Sequence, residues 1–479
     1  MHGVELGVVI LYFLTMLLIG WWFRWASTRS EASFWVAERS VGALVNGVAI
    51  FSAIGSAATF MGFVAVGYVY GLPMSLACAA GAAVGYAFAL ISFAGPLRRL
   101  GGFTLGDFFE MRYGGQAIRI VYSLITVVFF FVYLIPQLKG GGLVLQYLLG
   151  LPYWQGVILI GFVYVIYVVL GGMLAITWTD FIQGLLMFLF AVGLGAFILA
   201  EFGGSIGNVL QSAVAADPHF AYLSPKMSFW SVLGFALSMV FFMGASPHVV
   251  MRQYTVRNPH AGRVSVLIAV IMMDIFVGLF AYTMILAAAK IHLPPLKDPD
   301  FITLAVMDRY FSPILKGLSV AAILAAIQST TDAMLLAIGA AVGHDIYKRL
   351  IRPGAEAKSV FWVARVVMLV AGILAIIIAL RPPGLIGVIV GLITGGIGAS
   401  FFFPLWLGIW WERTTRAGAL AGMVGGFVAF VVFQLGGLVP LFTAALVGVA
   451  ASLVVTVVVS LLTAPATDEV RQLVKQIRA

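Results

Sequence analysis

Apolar runs long enough to cross a bilayer return about thirteen times along this chain, near residues 4–23, 42–70, 74–97, 117–148, 154–176, 177–201, 228–250, 264–288, 312–343, 360–380, 384–411, 416–435 and 440–463. A helix rises about 1.5 Å per residue, so roughly 20 apolar residues span a hydrocarbon core about 30 Å thick. In lipid the backbone must satisfy its own polar groups, which leaves helices or closed barrels. Runs of this length specify helices. Only 9% of the 479 residues are charged, against about 25% in a typical soluble protein. The expected fold is an all-α polytopic membrane bundle in contact with the lipid bilayer.

The net charge of +9 does not mark a nucleic-acid partner, because the basic residues are not gathered on one segment. They sit in short loops, and in alternate loops. One set carries Arg24, Arg29 and Arg39, then Arg98, Arg99, Arg112 and Arg119, and so on to Arg471, Lys475 and Arg478. The other set holds only scattered charges such as Lys226, Lys290 and Arg381. Positive loops stay cytoplasmic. The alternation places the N-terminus outside and the C-terminus in the cytoplasm of a cell (inner) membrane protein, and requires an odd span count. The first apolar run lacks a basic leader and is expected to be a span. The single cysteine, Cys78, excludes disulfides and thiolate metal sites.

Two spans are interrupted. The second reads Phe51-Ser52-Ala53-Ile54-Gly55-Ser56-Ala57-Ala58-Thr59-Phe60, and the seventh reads Phe242-Met243-Gly244-Ala245-Ser246-Pro247-His248. Pro removes a helix hydrogen bond and Gly weakens the helix. Unwound backbone in a membrane persists where it lines a cavity or holds a ligand. The breaks stand five spans apart, and an odd separation inverts the second block relative to the first. Paired broken helices in inverted halves point to the binding site of a secondary transporter.

A third feature lies in the ninth run, Ala325-Ala326-Ile327-Gln328-Ser329-Thr330-Thr331-Asp332. On a helix, Ala326 lies three residues before Ser329 and four before Thr330, so its carbonyl approaches both hydroxyls. Hydroxyl and carbonyl oxygens suit a hard cation such as sodium. Bonding of Ser and Thr back to their own helix is the plainer reading of the same residues. A carboxylate at this depth costs about 2.5–3.5 kcal/mol on insertion scales and marks an ion or substrate path.

These features together resemble the solute:sodium symporter family, from about Phe34 to Gly425. The resemblance rests on Ser33-Phe34-Trp35-Val36-Ala37-Glu38-Arg39, the broken second span, Gly171-Gly172-Met173 through Thr179-Asp180-Phe181-Ile182-Gln183-Gly184, Ser246-Pro247-His248, and Ala325 to Asp332 followed by Asp345-Ile346-Tyr347-Lys348. It is closest in style to the acetate/monocarboxylate and pantothenate branches. It implies a leucine-transporter-like 5+5 inverted repeat with one leading and two trailing helices. The corresponding divisions are 1–41 (leading helix and first cytoplasmic loop), 42–202 (first repeat), 203–227 (external loop), 228–412 (second repeat) and 413–479 (trailing helices and tail). It implies Na+ as coupling ion, held by the carbonyls of Ser52, Gly55 and Ala326 and the hydroxyls of Ser329 and Thr330. Many relatives carry a larger apolar residue where Gly55 stands. Asp180 matches an acidic position that joins a second ion site in some members; capping the neighbouring helix or pairing with a cytoplasmic Arg is its other reading. Asp332 is the other candidate for a second ion or for coupling.

The repeat axis puts a solute at the midplane, between the breaks and the third core helix. The expected lining is Ser56, Thr59, Phe60, Gln137, Lys139, Met243, Ser246 and Phe402. Lys139 stands in mid-span and calls for an anion: a solute carboxylate, Asp180 or Asp332. Snorkelling to an interface is the alternative. Asp274 lies inside the eighth span with no evident partner. The expected activity is sodium-coupled symport of a small organic solute (a monocarboxylate, pantothenate or an amino acid) by alternating access. The transport unit is a monomer, with a dimer in the membrane allowed. Proton coupling on the same scaffold and sodium/sugar symport are the alternatives. No phosphate loop, HExxH or Cys–His pair suggests an enzyme.

Overall fold

A computed structural model describes residues 3–27, 29–170, 172–381 and 384–478. Gly171 of the Gly171-Gly172-Met173 motif lies outside the described residues, as does the side chain of Arg24. The described residues form helices and no strand; Val41 and Val256 make one isolated bridge. The main helices are α1 (Gly3–Ser27), α2 (Ala43–Ile54), α3 (Ala58–Tyr70), α4 (Leu72–Ser92), α5 (Gln116–Leu149), α6 (Tyr153–Leu170), α7 (Met173–Glu201), α8 (Phe229–Ala245) and α9 (Pro247–Thr255). They continue with α10 (Pro259–His292), α11 (Pro313–Ile351), α12 (Ala357–Ala379), α13 (Ile386–Trp410), α14 (Arg416–Leu435) and α15 (Thr443–Leu462). Eleven candidate spans are long and apolar enough to cross a membrane, twelve with the bent pair α2/α3. The expected thirteen is therefore not reached among the described residues. α6 occupies the remaining expected position, and only its stretch Tyr153–Val165 counts there, as a shorter apolar helix.

Burial orders the bundle. Every residue in the most apolar window of α11 is buried, against 22% for α1. α11 is the axis, packed by α1, α2, α5, α7 and α12. Its contacts are close because it presents small residues. Gly317 lies against Glu5 and Val8 of α1, and Gly339 and Gly343 lie against Met368 and Ala364 of α12. The peripheral helices turn Leu11, Leu18, Trp22, Ile91, Leu189 and Val454 outward, the surface a lipid tail replaces water around.

The loops between α7 and α8 and between α10 and α11 each hold a short helix, Ile206–Ala216 and Ile302–Tyr310. Thr104 caps the helix Leu105–Tyr113 with a reciprocal bond to Asp107.

Candidate functional site

The first break follows from who satisfies the backbone. α2 ends at Ile54, and α3 leaves at an angle of 63°. A helix start leaves its first N–H groups without partners. Here the Ser56 hydroxyl accepts from Ala58 N at 3.1 Å, the Thr59 hydroxyl accepts from Ser56 N at 3.1 Å, and Gln137 Oε1 accepts from Ala57 N at 3.0 Å. Gln137 Nε2 has no partner.

The carbonyls at the end of α2 face α11. Ser329 Oγ donates to Ser52 O at 2.8 Å and to Ala326 O at 3.2 Å. Thr330 Oγ1 donates to Gly55 O at 3.0 Å and to Ala53 O at 3.2 Å. All these residues are buried. The carbonyls of Ser52, Gly55 and Ala326 and the two hydroxyls thus converge, with Ala53 O beside them. A cation entering here would meet neutral oxygens whose lone pairs the hydroxyls can turn toward it. The donor set fits sodium, which is cargo of the cycle. Gly55 has an ordinary φ of −59°, so its lack of a side chain serves space. A Cβ there would stand 2.2 Å from Met187 Cε, and the methionine fills the room a larger residue would need.

The second break is one residue long. Ser246 leaves the helix with ψ 127° and Pro247 begins α9. The Ser246 hydroxyl bonds His248 Nδ1 at 2.8 Å.

Asp180 is taken by Arg252, in a short ion pair, and the same guanidinium donates to Thr177 at 2.9 Å. That is the pairing alternative. Asp332 is fully buried with neither carboxylate oxygen partnered. Gln183 and Tyr12, not singled out in the sequence, form a chain to α11: Gln183 Nε2 donates to Tyr12 OH and Tyr12 OH to Gln328 Oε1, each at 2.8 Å.

Lys139 is neither free nor near Asp180 or Asp332. Its ammonium donates to Asp300 Oδ2 at 2.6 Å and to Gly384 O at 3.0 Å. Asp300 comes from the loop between α10 and α11 and also accepts from Ile386 N at 3.2 Å. The pair pins α5 to the start of α13, an anion partner other than the Asp180 and Asp332 that the sequence offered.

Between the breaks lies a narrow cavity of about 20 Å³, room for a water or two. Of the residues proposed from the sequence, Thr59 and Met243 line it, together with Tyr133, Phe242, Tyr282 and Asp274. Ser56, Phe60, Gln137, Lys139, Ser246 and Phe402 do not line it. Phe60 packs on Phe190, and Phe402 belongs to an aromatic cluster with Phe88, Phe93 and Phe241.

At the C-terminal end of α11, Arg119 joins Asp107, Glu110 and Asp345, and Thr104 donates to Asp345 at 2.9 Å. Asp107, His344 and Asp345 stand close enough to share a metal. Arg119 and Arg349 already balance their charge, so the cluster reads as an ion network. Burial would raise the Asp107 carboxyl, but the His344 bond and the Arg119 charge outweigh it and hold it well below the usual range.

The sequence matches the Sodium:solute symporter family over residues 34–426. The chain belongs to the sodium:solute symporter family. It is 28% identical over 444 residues to the osmoregulated proline transporter OpuE of Bacillus subtilis (strain 168), covering 91% of this chain and 89% of that protein. Its fold is similar to a Na+-coupled sialic acid symporter in a substrate-bound outward-open state, with a TM-score of 0.82, 23% identity, and 98% and 100% of the two chains covered. It is also similar to Mhp1, a nucleobase-cation-symport-1 family transporter, in a closed conformation, with a TM-score of 0.58, 14% identity, and 94% and 100% coverage. The symporter fold is the leucine-transporter-like helical bundle, and Na+ is the coupling ion. The family and these neighbours are transporters of small-molecule solutes.

Proposed function

We propose that this symporter imports a small organic solute across the cell membrane, with sodium bound between α2 and α11 and the solute bound in the cavity between the two breaks. The observation that carries the reading is the meeting of the Ser329 and Thr330 hydroxyls with the carbonyls of Ser52 and Gly55. Sodium at those oxygens would tie the broken helix to the bundle axis and order the cavity for the solute. The solute then closes the outer side. Low internal sodium empties the site and releases both. Each net charge moved adds about 2.3 kcal/mol of drive per 100 mV of membrane potential.

Among the expected solutes, an amino acid is favoured over a plain monocarboxylate or pantothenate. Lys139, the one cation that argued for a bare carboxylate, is engaged by Asp300, and OpuE is a proline transporter. The solute carboxylate is proposed to face the start of α3, where the helix dipole is positive. Asp332 and the unpaired oxygen of Asp180 are proposed to assist a second ion or the coupling step. The repeats are proposed to run over 42–202 and 228–412, with the N-terminus outside, the C-terminus in the cytoplasm, and one chain as the transport unit.

The test is uptake into proteoliposomes under a sodium or choline gradient at clamped potential. Sodium-driven accumulation that Ser329→Ala/Thr330→Ala abolishes is the expected result. Uptake with unchanged sodium dependence in that double variant overturns it.

A further inference from the structure

Apart from Asp332 on α11, a second buried carboxylate belongs neither to the proposed sodium oxygens nor to the Arg119 ion network. Asp274 of α10 is 3% exposed, and neither of its oxygens has a hydrogen-bond partner. It lines the cavity between the breaks, as does Thr59 at the start of α3. A buried charge without a partner is costly enough to call for a purpose.

Two further observations bear on what it meets. The backbone of α10 departs from ordinary helical winding at this point: Ile271–Ala281 has π-type hydrogen bonding. Such widened turns are rare and gather at functional sites. The walls of the cavity are also informative. Tyr133, Phe242 and Tyr282 bring aromatic faces, and Met239, Met243 and Met273 bring flexible thioethers. No Lys or Arg is among the described residues that line it. A carboxylate set among aromatic rings is the chemistry that recognises a positively charged nitrogen, through an ion pair together with cation–π attraction. It repels a plain carboxylate.

We infer that Asp274 is the counter-ion for a cationic nitrogen on the transported solute, which narrows the substrate class to amino acids and related ammonium compounds. The inference rests on the symport reading above and deepens it. A zwitterion then lies with its carboxylate toward the start of α3 and its nitrogen toward α10. The cavity is too small for such a solute as it stands, so binding requires the three methionines to repack, a change that their unbranched side chains make at small cost.

The experiment is sodium-driven uptake into proteoliposomes of the full chain. The ammonium probes are L-proline, L-alanine and glycine betaine. The probes without a charged nitrogen are tetrahydrofuran-2-carboxylate (the ring-oxygen counterpart of proline), acetate, pyruvate, pantothenate and glucose. We expect accumulation of an ammonium probe, exclusion of the ring-oxygen counterpart, and a loss of affinity of roughly 30-fold or more in Asp274→Asn. Asp274→Glu, which keeps the charge, should retain part of the uptake. Sodium-22 binding without solute, measured on the same preparations, should be unchanged in Asp274→Asn, which also shows that the variant is folded. Sodium-driven uptake confined to probes lacking a charged nitrogen overturns the inference. So does ammonium uptake that survives Asp274→Asn, or loss of sodium-22 binding in that variant. Failure of the symport reading itself has a different signature: sodium-22 binding equal in wild type and in Ser329→Ala/Thr330→Ala.

Discussion

The two broken helices solve the same problem in different ways. At the α8/α9 break the interruption is repaired locally: Pro247 brings no N–H, Ser246 N still donates to Phe242 O at 2.9 Å, and Val250 N donates to Ser246 O at 3.0 Å. At the α2/α3 break local bonds, including those from Ala58 N to the Ser56 hydroxyl and from Ser56 N to the Thr59 hydroxyl, are joined by partners from other helices. α11 supplies two hydroxyls to the freed carbonyls, and α5 supplies Gln137 to a freed N–H. A break that closes on itself has nothing to give an ion. A break whose carbonyls are lent to hydroxyls can exchange those hydrogen bonds for a cation, and its geometry then depends on whether the cation is there. On the proposed reading, sodium sensitivity belongs to the first break.

The largest effect should come from removing the lent partners. Ser329→Ala/Thr330→Ala deletes two of five oxygens and leaves buried carbonyls unsatisfied, at about 1–3 kcal/mol each. Sodium-22 binding should weaken by roughly 30-fold or more. An unchanged sodium affinity would remove the distinction between the breaks. Next is Lys139→Met, which tests whether α5 must be anchored for Gln137 to reach the break. It strands the fully buried Asp300, and breaking such a pair by removing one partner costs about 3–5 kcal/mol. Thermal unfolding should register that loss, and Lys139→Met/Asp300→Asn should recover much of it. If the single variant were as stable as wild type, the anchoring role of the pair would be lost.

These residues also show what the sequence could carry. The membrane bundle was legible because apolar run length is a property of each segment alone. The proposed ion oxygens could be named because Ala326, Ser329 and Thr330 sit on one turn of one helix, and because the breaks announce themselves in small residues and in Gly244 and Pro247. Partners from distant segments were not legible. Asp300 lies 161 residues from Lys139 in a loop, so neither periodicity nor charge pattern could pair them, and the nearer-seeming Asp180 and Asp332 stood in its place. Asp274 was visible as a charge in a span, but its direction was not. The π-type stretch around it shifts the helical phase, so a 3.6-residue wheel drawn through α10 loses its register there.

A subtler test concerns the room around the first break. Gly55→Ala places a methyl where Met187 Cε stands. Met187 is flexible and also accepts from the Ser52 hydroxyl at 3.7 Å. Overpacking of this kind costs about 1–3 kcal/mol, and here it presses on a residue whose carbonyl faces the ion. Gly55→Ala should weaken sodium binding several-fold, and Met187→Ala in the same chain should restore it. Restoration is the informative outcome, because a purely conformational need for glycine at a φ of −59° would not respond to a change in the neighbour.

The smallest effect is the most discriminating for the comparison. Ser246→Ala removes the hydroxyl that bonds His248 Nδ1 but touches none of the backbone bonds closing the second break. The loss should be that of one ordinary side-chain hydrogen bond, about 0.5–1.5 kcal/mol in thermal stability. Sodium-22 affinity should stay within about twofold of wild type, since the backbone around residue 246 is held by its own helix with or without the ion. A drop in sodium affinity matching that of Ser329→Ala/Thr330→Ala would mean that the second break also lends its oxygens to the cation. The two breaks would then be halves of one ion site, with α8/α9 reorganising as sodium binds. An unchanged affinity leaves α2/α3 as the element whose shape sodium sets, and makes α8/α9 a fixed wall against which that change is read by the solute.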